Sequence, residues 1–219
     1  QLESTIFAGK FPFQEQVSLD FEGIWSPKLN SSDLIFGKSH IEIGDSAENN
    51  GLEMYVDYPT TVAVQSQNYS LDKFHDHFPV YFVNSSASEK VFFGKDDHTF
   101  GIQEALDGSK LPNWKPIEGK GIEFCGNGNW GLIVHPGEFV VILMKKYTGD
   151  FETQMRVRFK QGDNILVGKP FNGVINRSQV HIKEESYFSR ILNNTNGIAA
   201  SWLFLGAEVR KESWIVKAN

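Results

Sequence analysis

The strand pattern of this 219-residue chain constrains its fold more than any other feature. Short apolar or alternating runs are closed again and again by Gly, Pro, Asn or Asp, as in antiparallel strands that are joined by turns. The runs that fit are Ser18–Trp25, Leu34–Ile43, Leu52–Val64, Val80–Val83, Lys90–Phe93, Gly131–His135, Glu138–Met144, Thr153–Phe159, Ile165–Val167 and Ser178–Ile182. The pattern predicts an all-β protein, an antiparallel β-sandwich of the immunoglobulin-like or jelly-roll type.

Aromatic content favours a sandwich over a helical bundle. Phe, Tyr and Trp make up 13% of the chain, and Phe alone accounts for 18 residues. Large rings suit the two inner faces of a sandwich, whose sheets lie about 10 Å apart. No helix-separated parallel strands of the βαβ kind are found, which argues against a Rossmann or barrel enzyme.

The length fits one large sandwich or two small ones of about 100 residues each. We predict a single unit over residues 1–219. The alternative is an N-terminal β segment over 1–70, an immunoglobulin-like core over 75–182 and a C-terminal extension over 183–219. The Gly- and Pro-rich stretch Asp107–Gly121 is either a long functional loop or a domain seam, and we favour the loop.

One segment near the C-terminus has a helical period. In Glu185–Asn193, apolar side chains recur on one face and Gly197 follows soon after, so we predict one short helix there. Trp202 and Trp214 lie in apolar runs that we interpret as C-terminal strands, and we expect both rings in the core.

Charge and cysteine content exclude several classes of partner. A formal net charge of −6, with Lys and Arg scattered singly, gives no basic surface for nucleic acid. The longest apolar run, Phe139–Met144, is far shorter than the ~20 residues of a membrane span. Cys125 is the only cysteine, so we expect a free thiol, no intrachain disulfide and no Cys-based zinc site.

We expect the protein to be exported, to the periplasm, the cell surface or the medium. The chain begins at Gln1, which suggests a removed signal peptide or a trimmed chain. Asn-x-Ser/Thr sequons would suit a glycosylated eukaryotic protein, but an exported chain without disulfides is more natural in a bacterium. The sequons are at Asn30, Asn68, Asn84, Asn176 and Asn193.

The segment Tyr147–Thr153 has the spacing of the turn into strand F of immunoglobulin-like domains. Phe151 stands where Tyr is usual and Thr153 where Cys is usual, so Phe151 cannot form the tyrosine-corner hydrogen bond. The preceding turn, His135-Pro136-Gly137-Glu138, fits the same interpretation.

Several short motifs together resemble a set found in a bacterial family. They are Gln103-Glu104-Ala105-Leu106-Asp107, Trp114-Lys115-Pro116-Ile117-Glu118, Cys125-Gly126-Asn127 and Tyr147-x-Gly149-x-Phe151-x-Thr153-x-x-Arg156-Val157. Over about residues 80–180 the chain thus resembles uncharacterised, predicted exported β-sandwich proteins of Bacteroidetes. The resemblance implies export and a sandwich fold, and it implies no activity.

The pair His75 and His77 is the sharpest suggestion of a metal site. Residues i and i+2 of a strand point to the same side, and His98 could add a third ligand. A following Glu ligand of the cupin type is missing, and an HxH pair is more often part of a hydrogen-bonded strand. We therefore predict no metal and no cofactor.

Two kinds of carbohydrate chemistry are compatible with the sequence. Gln179-Val180-His181 resembles the Gln-x-His strand of jelly-roll polysaccharide lyases, in which Arg clamps an acidic sugar; Arg156 and Arg158 lie on one face of a strand. A hydrolase would need two carboxylates at a fixed separation. Candidates are Glu104, Glu118, Glu123, Glu138 and Glu152. No G-x-S-x-G nucleophile motif occurs.

Aromatic residues in irregular segments are the best candidates for recognition. Trp114 and Trp130 lie in Gly- and Pro-rich stretches, and Trp25 precedes Ser-Pro. Exposed rings of this kind stack on sugars or anchor protein interfaces, although a loop Trp often folds back onto the core. With Arg156, these residues define the predicted ligand-binding set. We predict a non-enzymatic module that binds a glycan or a protein; the alternative is a lyase or glycoside hydrolase.

Overall fold

Antiparallel strands dominate the computed structural model, which describes residues 5–13, 31–36, 51–65, 74–95, 98–120, 128–184, 186–207 and 215–216. Its strands are β1 Thr5–Pro12, β2 Leu34–Phe36, β3 Leu52–Val56, β4 Val62–Gln65, β5 Phe74–Asn84, β6 Lys90–Lys95, β7 His98–Thr99, β8 Gly101–Leu106, β9 Trp114–Pro116, β10 Asn129–Val134, β11 Glu138–Lys145, β12 Phe151–Gln161, β13 Asn164–Val167, β14 Phe171–Ile175, β15 Ile182–Lys183 and β16 Ile215–Val216. The helices are α1 Tyr187–Asn194 and α2 Ala200–Leu203, with 3-10 turns at Ser31–Asp33 and Arg177–Val180.

The strands form three antiparallel sheets and one short parallel pair. The first sheet has the order β1-β11-β5-β3, and β4 also pairs with β5. The second has the order β2-β10-β6-β7, and the third β13-β12-β8-β9, with β14 also on β12. β15 pairs with β16 in parallel. The prediction of an all-β, sandwich-like fold with a small C-terminal helix is confirmed.

The main core lies between the first sheet and the other two sheets. β5 contributes Phe78, Val80 and Phe82, and β11 contributes alternate apolar residues from Val140 to Met144. They meet residues of the second sheet, such as Phe92, and of the third, such as Phe159. The rings of Phe82 and Phe159 meet edge to face at 4.7 Å, a favourable geometry for aromatic pairs. The predicted role of Phe in bridging the sheets is thereby confirmed.

The first sheet is apolar on both faces around β11. Every side chain from Val140 to Met144 is fully buried, because alternate residues enter the main core while Val141 and Leu143 join a second cluster on the opposite face. β1 pairs with β11 along its whole length, from Thr5 opposite Met144 to Pro12 opposite Glu138, with an irregularity between Phe7 and Gly9. β11 is therefore an interior strand that is covered on all sides.

The third sheet carries a smaller core and a helical covering. Ala105, Phe151, Met155 and Ile175 form a cluster on the face that continues the main core. On the other face, Ile102 is buried beneath the C-terminal segment that contains α1 and α2. That segment covers one end of the face.

Several strand predictions agree with the structure and others need correction. The run Leu52–Val64 is divided into β3 and β4 by a turn at Asp57–Thr61 that contains Pro59. The predicted strand Ser178–Ile182 is wrong for its first part, which is a 3-10 turn. There the Asn176 N–H donates to the Gln179 side chain (2.9 Å) and the Gln179 N–H to the Asn176 carbonyl (2.8 Å). Ser18–Trp25 lies outside the described residues.

The expectation that Trp202 is a core residue of a strand is wrong. Its segment forms α2, and the Trp202 side chain is 57% exposed, whereas Leu203 and Ala199 are fully buried. Ile198 precedes Trp202 by four residues and is also exposed. The apolar run is divided by the helical period into an inner and an outer face, which a strand interpretation misses. Trp214 lies outside the described residues.

Candidate functional site

Two of the predicted ligand-binding residues lie next to each other on the third sheet. Arg156 of β12 is opposite Glu104 of β8, and Leu106 of β8 is opposite Trp114 of β9. Residues that are opposite in an antiparallel pair share a face, and so do residues i and i+2 of one strand. Arg158 therefore joins this face, which points away from the main core. We call the group Glu104, Trp114, Arg156 and Arg158 the arginine face.

Glu104 holds both arginines in place. Its carboxylate accepts a hydrogen bond from Nε of Arg156 at 2.6 Å and from Nε of Arg158 at 3.1 Å, with one oxygen for each. The Glu104 side chain is only 1% exposed, while those of Arg156 and Arg158 are 21% and 12% exposed. A buried carboxylate needs charged partners to offset its desolvation. Two cations around one anion leave this face with a local positive charge.

Glu104 does not use the terminal nitrogens of the two arginines. Nε is used by Glu104, and among the described residues no hydrogen bond is made by the Nη groups of Arg156 or Arg158. Each guanidinium therefore keeps four N–H donors on its terminal nitrogens. Such pairs of parallel donors match the two oxygens of a carboxylate.

Trp114 lies against Arg156. The guanidinium carbon of Arg156 is 4.2 Å from the centroid of the Trp114 ring, which is half-buried. The preceding loop is closed by Asp107, whose side chain accepts from the backbone N–H groups of Ser109 (3.1 Å) and Asn113 (3.3 Å). This closure brings the chain back to pair with β8. Part of the predicted loop Asp107–Gly121 is therefore the edge strand β9.

Apolar side chains border the arginine face. Val167 of β13 is opposite Arg158, and Ile165 lies two residues earlier on the same face. Their side chains are 43% and 38% exposed. The face thus combines positive charge, a half-buried ring and an apolar margin.

A separate cleft of about 610 Å³ lies where the beginning of β5, the ends of β9 and β11, the second 3-10 turn and α1 meet. A cavity of this size is in the range of small-molecule sites. The lining residues are Phe74, His75, Asp76, Ile117, Glu118, Gly119, Lys145, Lys146, Tyr147, Thr148, Asn176, Gln179 and Phe188.

Tyr147 and Glu118 form a hydrogen-bonded pair at this cleft. The Tyr147 hydroxyl donates to one carboxylate oxygen of Glu118, and the other oxygen accepts from the backbone N–H of Gln103 at 2.7 Å. Burial, together with the adjacent Glu118 carboxylate, raises the pKa of Tyr147 far above its usual range. Tyr147 therefore remains a phenol that donates, and it cannot readily act as a base.

The other predicted ligand-binding tryptophans have different positions. The ring of Trp130 packs against Phe7 at 5.5 Å and against Phe92 at 6.3 Å, next to the main core. A Cβ on Gly94 would come within 2.1 Å of that ring, so Gly94 makes room for it. Trp130 therefore packs inward. Trp25 lies outside the described residues.

The histidines of β5 are not equivalent. His75 is exposed, whereas His77 is 4% exposed, and its Nδ1 lies 2.9 Å from the His75 carbonyl oxygen. Burial lowers the pKa of His77, so its imidazole is neutral near pH 7. His98 begins β7. In the part of the chain that the structure describes, no group of three or more His, Cys, Asp or Glu side chains could hold a metal ion.

The predicted carboxylates are engaged in separate interactions. Glu104 binds the arginines, Glu118 binds Tyr147, and Glu138 accepts from Lys10 at 2.8 Å, while Glu152 is exposed. Glu123 and Cys125 lie outside the described residues.

The lyase-like motif Gln179-Val180-His181 is divided by the structure. Gln179 lines the cleft, but His181 does not.

Sequence reasoning missed the anchoring role of Glu104 and the cleft at Tyr147. An alternating Arg-x-Arg pair on a predicted strand is a signal for a buried acidic partner, but only the strand register identifies that partner as Glu104. Tyr147 carried no such signal, because its partner Glu118 comes from a distant part of the chain.

Comparison with known proteins gives no relative. No protein-family model matches the chain, and neither the curated proteins nor the solved structures contain a match. Among the residues that the structure describes, no helix has the length and apolar character needed to cross a membrane.

Proposed function

We propose that this protein is a non-enzymatic recognition module that binds an acidic glycan on the arginine face. The observation that carries the proposal is the stack of Arg156 on Trp114, with both arginines fixed by the buried Glu104. A site that is held rigid before binding loses little conformational freedom when the ligand arrives. The face therefore has the preorganisation of a binding surface.

The ligand is expected to carry carboxylates, such as a uronate polymer. The Nη groups of Arg156 and Arg158 can donate paired hydrogen bonds to a carboxylate, and the local positive charge attracts an anion. The accessible part of Trp114 can contact the C–H face of a sugar ring.

A protein partner is the second candidate, and it is favoured by the apolar margin of the same face. Ile165 and Val167 are both exposed there. Exposed apolar side chains beside arginine and tryptophan are typical of protein interfaces. In that case acidic side chains of the partner would take the place of the uronates.

An enzymatic alternative has less support. A lyase would need His, Tyr and Arg around one substrate, but Arg156 and Arg158 are not among the residues that line the cleft of His75 and Tyr147. Tyr147 is also kept protonated by burial and by Glu118. A glycan-binding module of this kind would act outside the cell, in agreement with the expected export and with the resemblance to exported Bacteroidetes proteins.

The test is a binding comparison between polygalacturonate oligomers and their methyl-esterified forms, measured by titration calorimetry. Esterification removes the charge and keeps the sugar rings. We expect the free acid to bind, with an affinity that falls as the salt concentration rises. Arg156→Ala and Trp114→Ala should each weaken binding about tenfold or more.

Arg177→Ala is the matched control. Its guanidinium carbon also lies over an aromatic ring, at 3.9 Å from the centroid of Phe151, but away from the arginine face. This variant should bind like the wild type. Equal binding of the esterified oligomers, or unchanged affinity in Arg156→Ala, would exclude carboxylate recognition at this face.

A further inference from the structure

The geometry of the cleft beside Tyr147 points to a second ligand site, separate from the arginine face, that takes a neutral sugar ring or a short neutral oligosaccharide. Its volume of about 610 Å³ lies within the range of about 300–1,000 Å³ that is usual for small-molecule sites. We infer the class of ligand from three properties of the residues that line the cleft: their aromatic rings, their polar groups and their charges.

Two phenylalanine rings from separate elements line the cleft. Phe74 at the beginning of β5 is 63% exposed, and Phe188 belongs to α1. A Cβ on Gly119 would lie 2.9 Å from the Phe188 ring, so the absence of a side chain at Gly119 lets that ring lie against the edge of the third sheet. Aromatic rings at the wall of an open cleft can contact the apolar C–H faces of a sugar.

The polar groups of the cleft include several that lack hydrogen-bond partners. Among the described residues, no hydrogen bond is made by the side chains of His75, Asp76 or Lys145, and Gln179 uses only its Oε1, which accepts from the Asn176 N–H. The residues that line the cleft therefore include an imidazole, a carboxylate, an ammonium group and an amide nitrogen. Donors and acceptors together are what a polyol requires, because each hydroxyl both donates and accepts.

The charges that remain available in the cleft are balanced. The Lys146 ammonium is turned away, since it donates to the Tyr58 carbonyl and to the Thr61 hydroxyl, both at 2.9 Å. Glu118 is occupied by Tyr147 and by the Gln103 N–H.

The Lys145 cation and the Asp76 anion are left, which is one charge of each sign among the lining residues. A neutral ligand thus fits this cleft better than the carboxylate ligand that suits the arginine face.

The experiment is saturation-transfer NMR on the purified chain with glucose, galactose, mannose, N-acetylglucosamine, maltose and cellobiose as probes. At least one of these sugars should bind, and its affinity should fall about tenfold in Phe74→Ala, which removes an exposed ring without disturbing the core. Gln179→Glu should also weaken binding. It keeps an oxygen that can accept from the Asn176 N–H, and it replaces the donor nitrogen by a second, negatively charged acceptor oxygen.

Phe13→Ala is the control, because Phe13 is another phenylalanine with an exposed ring, 51% accessible, that does not line the cleft. It should bind the sugar like the wild type. Absence of binding by every sugar of the panel would overturn the inference. Wild-type affinity in both cleft variants, or an equal loss in Phe13→Ala, would overturn it as well. These outcomes are independent of polygalacturonate binding by the arginine face.

Discussion

Glu104 is buried, while the two arginines that bind it keep part of their surface in contact with solvent. This asymmetry means that the carboxylate serves mainly to position the guanidinium groups. Without it, Arg156 and Arg158 would be two like charges on neighbouring positions of one strand face, with no anion between them. A single side chain thus determines both the stability and the geometry of the arginine face.

Glu104→Gln should lower the free energy of unfolding by about 3–5 kcal/mol, because it removes the only charge that compensates two partly buried cations in this group. Denaturant unfolding measures the loss. Glu152→Gln is the matched control, since Glu152 is exposed on β12, the strand that carries the two arginines, and it should change stability by no more than about 0.5 kcal/mol. A cost for Glu104→Gln as small as that of the control would show that Glu104 is not the anchor.

Tyr147 should resist ionisation at alkaline pH. Its pKa is raised in the folded protein, first by burial and then by Glu118. The stability that it contributes is therefore fully present below the unfolded pKa of about 10, and it is lost as the pH rises above that value. An ultraviolet difference titration of wild type and Tyr147→Phe should show no ionisation near pH 10 that depends on Tyr147. A phenolate that forms there and disappears in Tyr147→Phe would contradict the buried pair.

At the scale of elements, the sequence predicts strands well where alternation continues over several residues. β11 and β12 were predicted close to their observed bounds for this reason. β8 and β14 are not among the predicted strands, and each contains a glycine, Gly101 or Gly173, which is unfavourable in a strand interior. In the structure these glycines face a ring of Phe159 and the sulfur of Met155, and a Cβ would come within 2.3 and 2.4 Å of them. Such close approaches depend on partner strands and have no local signature.

The sequence predicts only part of the candidate site, again because contacts between partner strands have no local signature. Trp114 and Arg156 were chosen on separate grounds, as a loop ring and as a strand cation, and the pairing of β8 with both neighbours brings them together. Glu104 was only one of several possible carboxylates. The register that makes it the anchor arises from long-range strand pairing, which local patterns do not encode.

Substitutions of the neighbours Trp202 and Leu203 test whether their segment is the helix α2 and not the predicted strand. Leu203→Ala should cost about 2–5 kcal/mol of unfolding free energy, because Leu203 is fully buried in the C-terminal cluster. Trp202→Ala should change stability by no more than about 0.5 kcal/mol, because the ring is largely exposed. Denaturant unfolding of both variants decides between the helix and a buried strand. A large cost for Trp202→Ala would restore the strand interpretation.

At the scale of the whole molecule, the arginine face and the cleft depend on the same layered core. The first sheet packs against both other sheets through one cluster of apolar side chains. The cleft lies where elements of the first and third sheets meet α1, and none of the four residues of the arginine face lines it. Substitutions at one site can therefore leave the other intact, which allows the two binding tests to be carried out separately.

The covering of β11 by β1 has a consequence for aggregation. Without Thr5–Pro12, the most apolar strand of the first sheet would expose a row of unpaired N–H and C=O groups, and such an edge recruits strands from other molecules. A chain shortened through Pro12 should therefore form β-rich oligomers in size-exclusion chromatography with light scattering, while a chain that begins at Thr5 should elute like the 219-residue chain. If the shorter chain stayed monomeric, β1 would not be what protects β11 from intermolecular pairing.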